Sequence, residues 1–268
     1  MGGAASAPED PASAVSTAAD AATDSASSSG RTDRVPPPDA KRVAADGADR
    51  RSDVADDAYV AGATPYTEQD EAWLRSGPLS KALDPNLRVV RVASRCPRNG
   101  TPRVLECYPL RVAHNPARSE TKGFSKNKWN SRAGEAPVPW PNTFWLCCPV
   151  LISKIGALEH EGFIKNYNAR FQRPDSDDAR NDATRFREQH ARYASHRWSL
   201  LSPDDVKFAR REGYDAVLEK CGVGGLRVPE QVKCLHLHYA HFLATKDNLV
   251  GEWCQNELDA RDERRVLR

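Results

Sequence analysis

The sequence predicts an α+β fold: a small antiparallel sheet of about three strands, then several packed helices, behind a disordered N-terminal tail. Three observations carry this. Residues 1–65 hold one Tyr and no Trp, Phe, Leu, Ile or Cys, so they cannot bury enough apolar surface to offset their ordering entropy. Short β-like runs cluster between residues 87 and 148. From Pro149 onward the apolar residues recur at helical spacing.

Taking the elements in order, Thr67 to Leu74 reads as a short capped helix. Leu87–Ala93 and Arg103–Tyr108 read as the arms of a hairpin, joined by the turn-rich segment Pro97-Arg98-Asn99-Gly100-Thr101-Pro102. Residues 111–137 read as a basic surface loop, with Arg118, Lys122, Lys126, Lys128 and Arg132 set against Glu120 and Glu135. Asn142–Cys148 is a third strand. Val150, Leu151, Ile155 and Leu158 share one helix face, begun by Pro149 and ended by Gly162. Residues 163–172 add a turn or two. Further helices are expected at 177–198, 202–220 and 229–244, with a flexible turn at 221–225. The chain therefore divides into a tail, 1–65, and one folded domain, 66–268.

Charge divides at the same boundary. The tail has six Lys/Arg and eleven Asp/Glu, net −5, and the remainder has 33 and 26, net +7. A mildly basic domain permits an anionic small molecule, a polyanion or nucleic acid as partner without requiring one. The first 30 residues have no apolar run and no segment is long enough to span a bilayer. Seven cysteines are then expected to be reduced, in a cytoplasmic protein. The start Met1-Gly2-Gly3-Ala4-Ala5-Ser6 fits N-myristoylation at Gly2. One such chain gives only weak membrane attachment, and a plain Ala-rich tail is the alternative.

Several segments together resemble a family called "domain of unknown function 501", best known from actinobacteria. They are Arg95-Cys96-Pro97 with Gly100 and Pro102, Pro141 to Pro149 running into Leu158-Glu159-His160-Glu161-Gly162, and His190, Tyr193 and Arg197. Gly222–Gly225, Val232-Lys233-Cys234-Leu235-His236, Ala240-His241, Asn248 and Gly251 complete the set. The resemblance covers about residues 88–255 and implies a soluble cytoplasmic protein with no assigned reaction. Members often carry a second Cys shortly after the one matched by Cys96, where Arg98 and Asn99 stand here, and their connector is shorter than 111–137.

The family-matched positions supply Cys96, Cys148, Cys234 and His241, three thiolates and an imidazole, which suit tetrahedral zinc. An iron–sulfur cluster is a second possibility, inert core cysteines a third, and a reactive thiol a fourth. In a helix over 229–244, Cys234, His238 and His241 share a face, and His236 lies about 200° away from Cys234. Phe186, His190, Tyr193 and Arg197 form a second stripe. There His190 and Tyr193 are candidate proton donors or acceptors and Arg197 a candidate anion clamp, against a polar packing seam as the alternative. Cys107, Cys147, Cys221 and Cys254 have no assigned role. The sequence thus supports three functions: a Cys/His metal or thiol site acting on an anionic ligand, a non-catalytic RNA- or polyanion-binding module using the basic loop, and a structural domain with inert cysteines.

Overall fold

The computed structural model describes residues 58–77, 87–111, 137–228 and 230–266. Gly2 and nearly all of the basic loop lie outside them. Helix α1, Glu68–Ser76, opens with a capping box in which Thr67 and Asp70 exchange side-chain and backbone hydrogen bonds. Arg95 holds the Asp70 carboxylate at 2.7 Å, and this contact keeps its pKa down near 2.

Strands β1 (Val89–Arg95), β2 (Pro102–Cys107) and β5 (Phe144–Leu146) form an antiparallel sheet in the order β1-β2-β5. Val92 pairs with Leu105, and Leu105 pairs with Trp145. The hairpin turn is where composition put it. A ribbon of β3 (Leu110–Arg111) and β4 (Val138–Pro139), not anticipated from the sequence, flanks the basic segment.

Alternation along β2 sends its side chains to two faces. Leu105 and Cys107 join Leu74, Val92 and Cys147 beneath α1, while Val104 joins the main core with Phe144 and Leu146. Glu106 shares the Val104 face, so a carboxylate with no exposed surface points at the helices. That layer consists of α2 (Pro149–His160), α3 (Phe163–Gln172), α4 (Asp177–Ser199), α5 (Pro203–Arg211), α6 (Asp215–Leu218), α7 (Leu235–Thr245) and α8 (Leu249–Val266).

Three expectations need correction. The helix expected over 202–220 is two, because Gly213 takes φ 70° and turns the chain between α5 and α6. The helix expected from residue 229 begins at Leu235, with Cys234 as an extended N-cap at φ −153°. Residues 58–65, assigned to the tail by composition, lie on the core: Val60 is 1% exposed, and Thr64 bridges to Val92 through two 2.9 Å hydrogen bonds. Helix α8 was not anticipated. It crosses α7 at Gly251, where a Cβ would stand 2.6 Å from the carbonyl oxygen of His238.

Candidate metal centre

Two helices distant in sequence bring three donors together. Asn168 on α3 grips the backbone of Val232, accepting its N–H at 2.7 Å and donating to its carbonyl at 2.9 Å. This fixes the chain two residues before Cys234. Because Cys234 is extended and precedes the helix, its side chain lies outside the helical register. The rotation that would separate it from His236 does not operate, and its sulfur is 3.9 Å from Nδ1 of His236. Glu159, from the last turn of α2, accepts the free N–H of Leu235 at 2.6 Å, one of the amides that a helix start leaves without an internal partner. Its Oε1 is also 3.2 Å from His236 Nδ1.

Ligand atoms of Glu159, Cys234 and His236 all lie within 4.8 Å of one another, and each residue is half-buried. They are the one such group of three among the described residues. Cys96, Cys148 and His241 are not in it, so the four-donor set expected from the sequence does not assemble. Nε2 of His236 is 3.1 Å from the carbonyl oxygen of Ile152. A carbonyl only accepts, so Nε2 carries the hydrogen. Nδ1 then offers either a second proton to Glu159 or a lone pair to a cation. Burial pushes the Cys234 thiol up to about 11, against the pull of the Leu237 and His236 amides at the helix start.

The other predicted residues are elsewhere. Cys96 sits in the hairpin turn, where the N–H groups of Arg98 and Asn99 lower its pKa. Cys148 caps α2. Cys107, Cys147, Cys221 and Cys254 are buried, and burial raises the pKa of Cys107, Cys147 and Cys254.

His190, Tyr193 and Arg197 form a seam on α4. His190 Nδ1 accepts the Val223 N–H at 2.9 Å, and burial lowers its pKa to about 4. Tyr193 Oη accepts from the Thr143 amide at 2.8 Å and donates to the Pro141 carbonyl at 3.1 Å. Arg197, fully buried, donates to the carbonyls of Leu218, Val217, Cys221 and Pro141. Its fork is directed at the carbonyls of Val217, Leu218 and Cys221 and at that of Pro141, and an anion would have to displace them.

His238 and His241 belong to a third arrangement. Asn248 takes the Gly251 N–H on Oδ1 at 2.9 Å, which orients its amide. Its Nδ2 then donates to Nδ1 of His238 at 3.2 Å and of His241 at 2.9 Å. Both imidazoles are therefore neutral with Nδ1 unprotonated, and burial keeps them so, lowering His241 to about 3 and His238 well below its usual value. Sequence reasoning missed Glu159, Glu106, His196 and Tyr59. Of these only Glu159 carried a signal, inside the motif Leu158-Glu159-His160-Glu161-Gly162.

A family model described as Protein of unknown function (DUF501) matches residues 92–256. The chain belongs to this family. No curated protein and no solved structure matches it. The DUF501 residues contain all three clustered donors, together with Asn168, Asn248 and the α4 seam, whereas Tyr59 and α1 precede them. Among the described residues no helix is long and apolar enough to cross a membrane.

Proposed function

We propose that this DUF501 domain is a metal-binding domain in which Glu159, Cys234 and His236 hold one divalent ion, zinc in the first instance, with a fourth position open to water or an anionic ligand group. The observation that carries the reading is the convergence of a thiol, an imidazole and a carboxylate within 4.8 Å, from helices α2 and α7. Mixed sulfur, nitrogen and oxygen donors suit zinc, and three protein ligands with an open fourth position are the pattern of its catalytic sites. A single thiolate is too few for an iron–sulfur cluster.

The geometry also speaks against a Cys–His nucleophilic pair. In such a pair the thiol and the orienting acid engage opposite ring nitrogens. Here sulfur and carboxylate both approach Nδ1, while Nε2 is committed to Ile152. A thiol, a carboxylate and an imidazole oriented by Ile152 around one point support reading the group as metal ligands with an outer hydrogen bond to hold one of them.

When bound, such an ion lowers the pKa of a coordinated water to about 7, which suits hydrolysis. Protein purified without chelators is expected to hold about one equivalent of zinc. Its cobalt form is expected to show a thiolate-to-metal charge-transfer band that Cys234→Ser removes. Metal content below about 0.2 equivalents, with no uptake on titration, overturns the reading.

A further inference from the structure

The segment that delivers Cys234 has no regular structure of its own. Residues 231–234 belong to no helix or strand, and α7 starts only at Leu235. A thiol on a loose segment samples many directions, and ordering it would cost free energy at the moment a metal bound. Here the segment is held from both sides. Asn168 of α3 takes both backbone groups of Val232, and Glu159 of α2 takes the amide of Leu235. Lys233 and Cys234 are suspended between these two points.

The Asn168 contact has one solution. The Val232 N–H must meet the amide oxygen, at 2.7 Å, and the Val232 carbonyl must meet the amide nitrogen, at 2.9 Å, so the side chain cannot be turned over. The Val232 side chain, in the main core, fixes where the chain passes. The two hydrogen bonds fix how the peptide units on either side of it are turned, and with them the direction in which Cys234 leaves. The anchor is itself held. Phe171 of α3 stacks on Phe186 of α4 at 4.2 Å, and Nε of Arg170 donates to Asp182 at 2.8 Å. Gly162 makes the corner between α2 and α3 at φ 89°, a left-handed conformation that suits glycine. Glu159 and Asn168 thus reach one segment from the two arms of a single helix corner.

We infer that Asn168 is a positioning residue of the metal centre: acting through the backbone of Val232, with both of its own polar atoms engaged there, it presets the Cys234 sulfur beside Glu159 and His236. The inference rests on the metal reading above and extends that site to a third helix. Loss of an outer group that orients a ligand commonly weakens metal affinity by about 10- to 100-fold.

Asn168→Ala in the full-length protein tests this, beside Asn168→Asp, which keeps an acceptor for the Val232 N–H and loses the donor to its carbonyl. Arg197→Lys is the comparator, destabilised but outside the donor group. In competition with a chromophoric chelator, Asn168→Ala is expected to bind zinc about thirtyfold more weakly, with Asn168→Asp in between and Arg197→Lys within about threefold in the folded fraction. The thiolate-to-cobalt band of Asn168→Ala is expected to shift or lose intensity, a change that lost stability alone does not produce. With chelator present, iodoacetamide is expected to alkylate Cys234 about tenfold faster in Asn168→Ala than in wild type, read by mass spectrometry of its peptide. Metal uptake by the wild type with an unchanged affinity and band in Asn168→Ala overturns the positioning role and leaves the metal reading standing. An equal loss of affinity in Arg197→Lys also overturns it, since the effect is then one of stability. No uptake by the wild type overturns the metal reading; the alkylation rates then decide the placement of Cys234 alone, and equal rates overturn it.

Discussion

The backbone of Gly222 lies so close to the His190 ring that a Cβ there would stand 1.7 Å from Nδ1. Gly222 has φ −75°, which any residue can adopt, so the requirement is for space alone. Gly222→Ala must displace either the imidazole, with its bond to Val223, or the turn. A loss of about 3 kcal/mol in urea unfolding is expected. Adding His190→Ala should recover part of that loss, and a double-mutant cycle showing no coupling would contradict the contact.

Cys234→Ser, His236→Ala and Glu159→Gln should each weaken zinc binding by more than about 100-fold in competition with a chromophoric chelator, because each removes a direct donor. Cys96→Ser and Cys148→Ser should leave it within about threefold, since neither residue joins the cluster. The Cys234 thiol is pushed up to about 11, so at neutral pH the metal must displace its proton. Affinity should rise about tenfold per pH unit around neutrality, with release of a proton measurable in weakly buffered solution.

Acid stability follows from the buried imidazoles. Unfolded, a histidine takes its proton near pH 6.5; folded, His190 resists to about 4 and His241 to about 3. Between these values the unfolded state binds more protons, so stability rises with pH. Their contribution is complete above about 6.5 and is lost as pH falls through the window below it. Each histidine should add about 1.4 kcal/mol per pH unit to the slope between about pH 6 and 4. Denaturant melts across that range check this, and a flat profile would show that the rings are not held neutral.

Arg197→Lys should cost about 3 kcal/mol of stability. The fork reaches the carbonyls of Val217, Leu218, Cys221, Pro141 and Gly222 at once, and a single ammonium cannot reproduce that geometry. Zinc affinity should stay unchanged in the folded fraction, which separates a scaffolding arginine from one that serves the metal site.

The sequence made the three strands of the main sheet, the capped helix at Thr67 and the helices starting at Pro149 and Asp177 legible, because alternation, caps and periodicity are local, whereas the β3–β4 ribbon carried no such pattern. Helix α8 escaped because its buried Val250, Cys254 and Leu258 are diluted among charged residues. Pro229 looked like a helix start, and that false start put Cys234 on a face with His241. The true partner of Cys234 and His236 is Glu159, 75 residues before Cys234, and only the packing of α2 on α7 joins them. Local pattern could single out Cys234 and His236; it held no information on what α2 would deliver beside them.

Arg197 has one more effect. It is a cation with no exposed surface, and its hydrogen bonds in the core are to neutral carbonyls. Burial is the main reason His190 resists protonation, and the field of Arg197 adds to it while Glu230 opposes it. In a medium of low permittivity such a charge acts over many ångströms, so the residue that fastens the turn also biases the neighbouring imidazole toward its neutral form. The guanidinium that fastens α4 to the 217–221 turn thus also helps keep the His190 ring in the uncharged form that accepts the Val223 N–H.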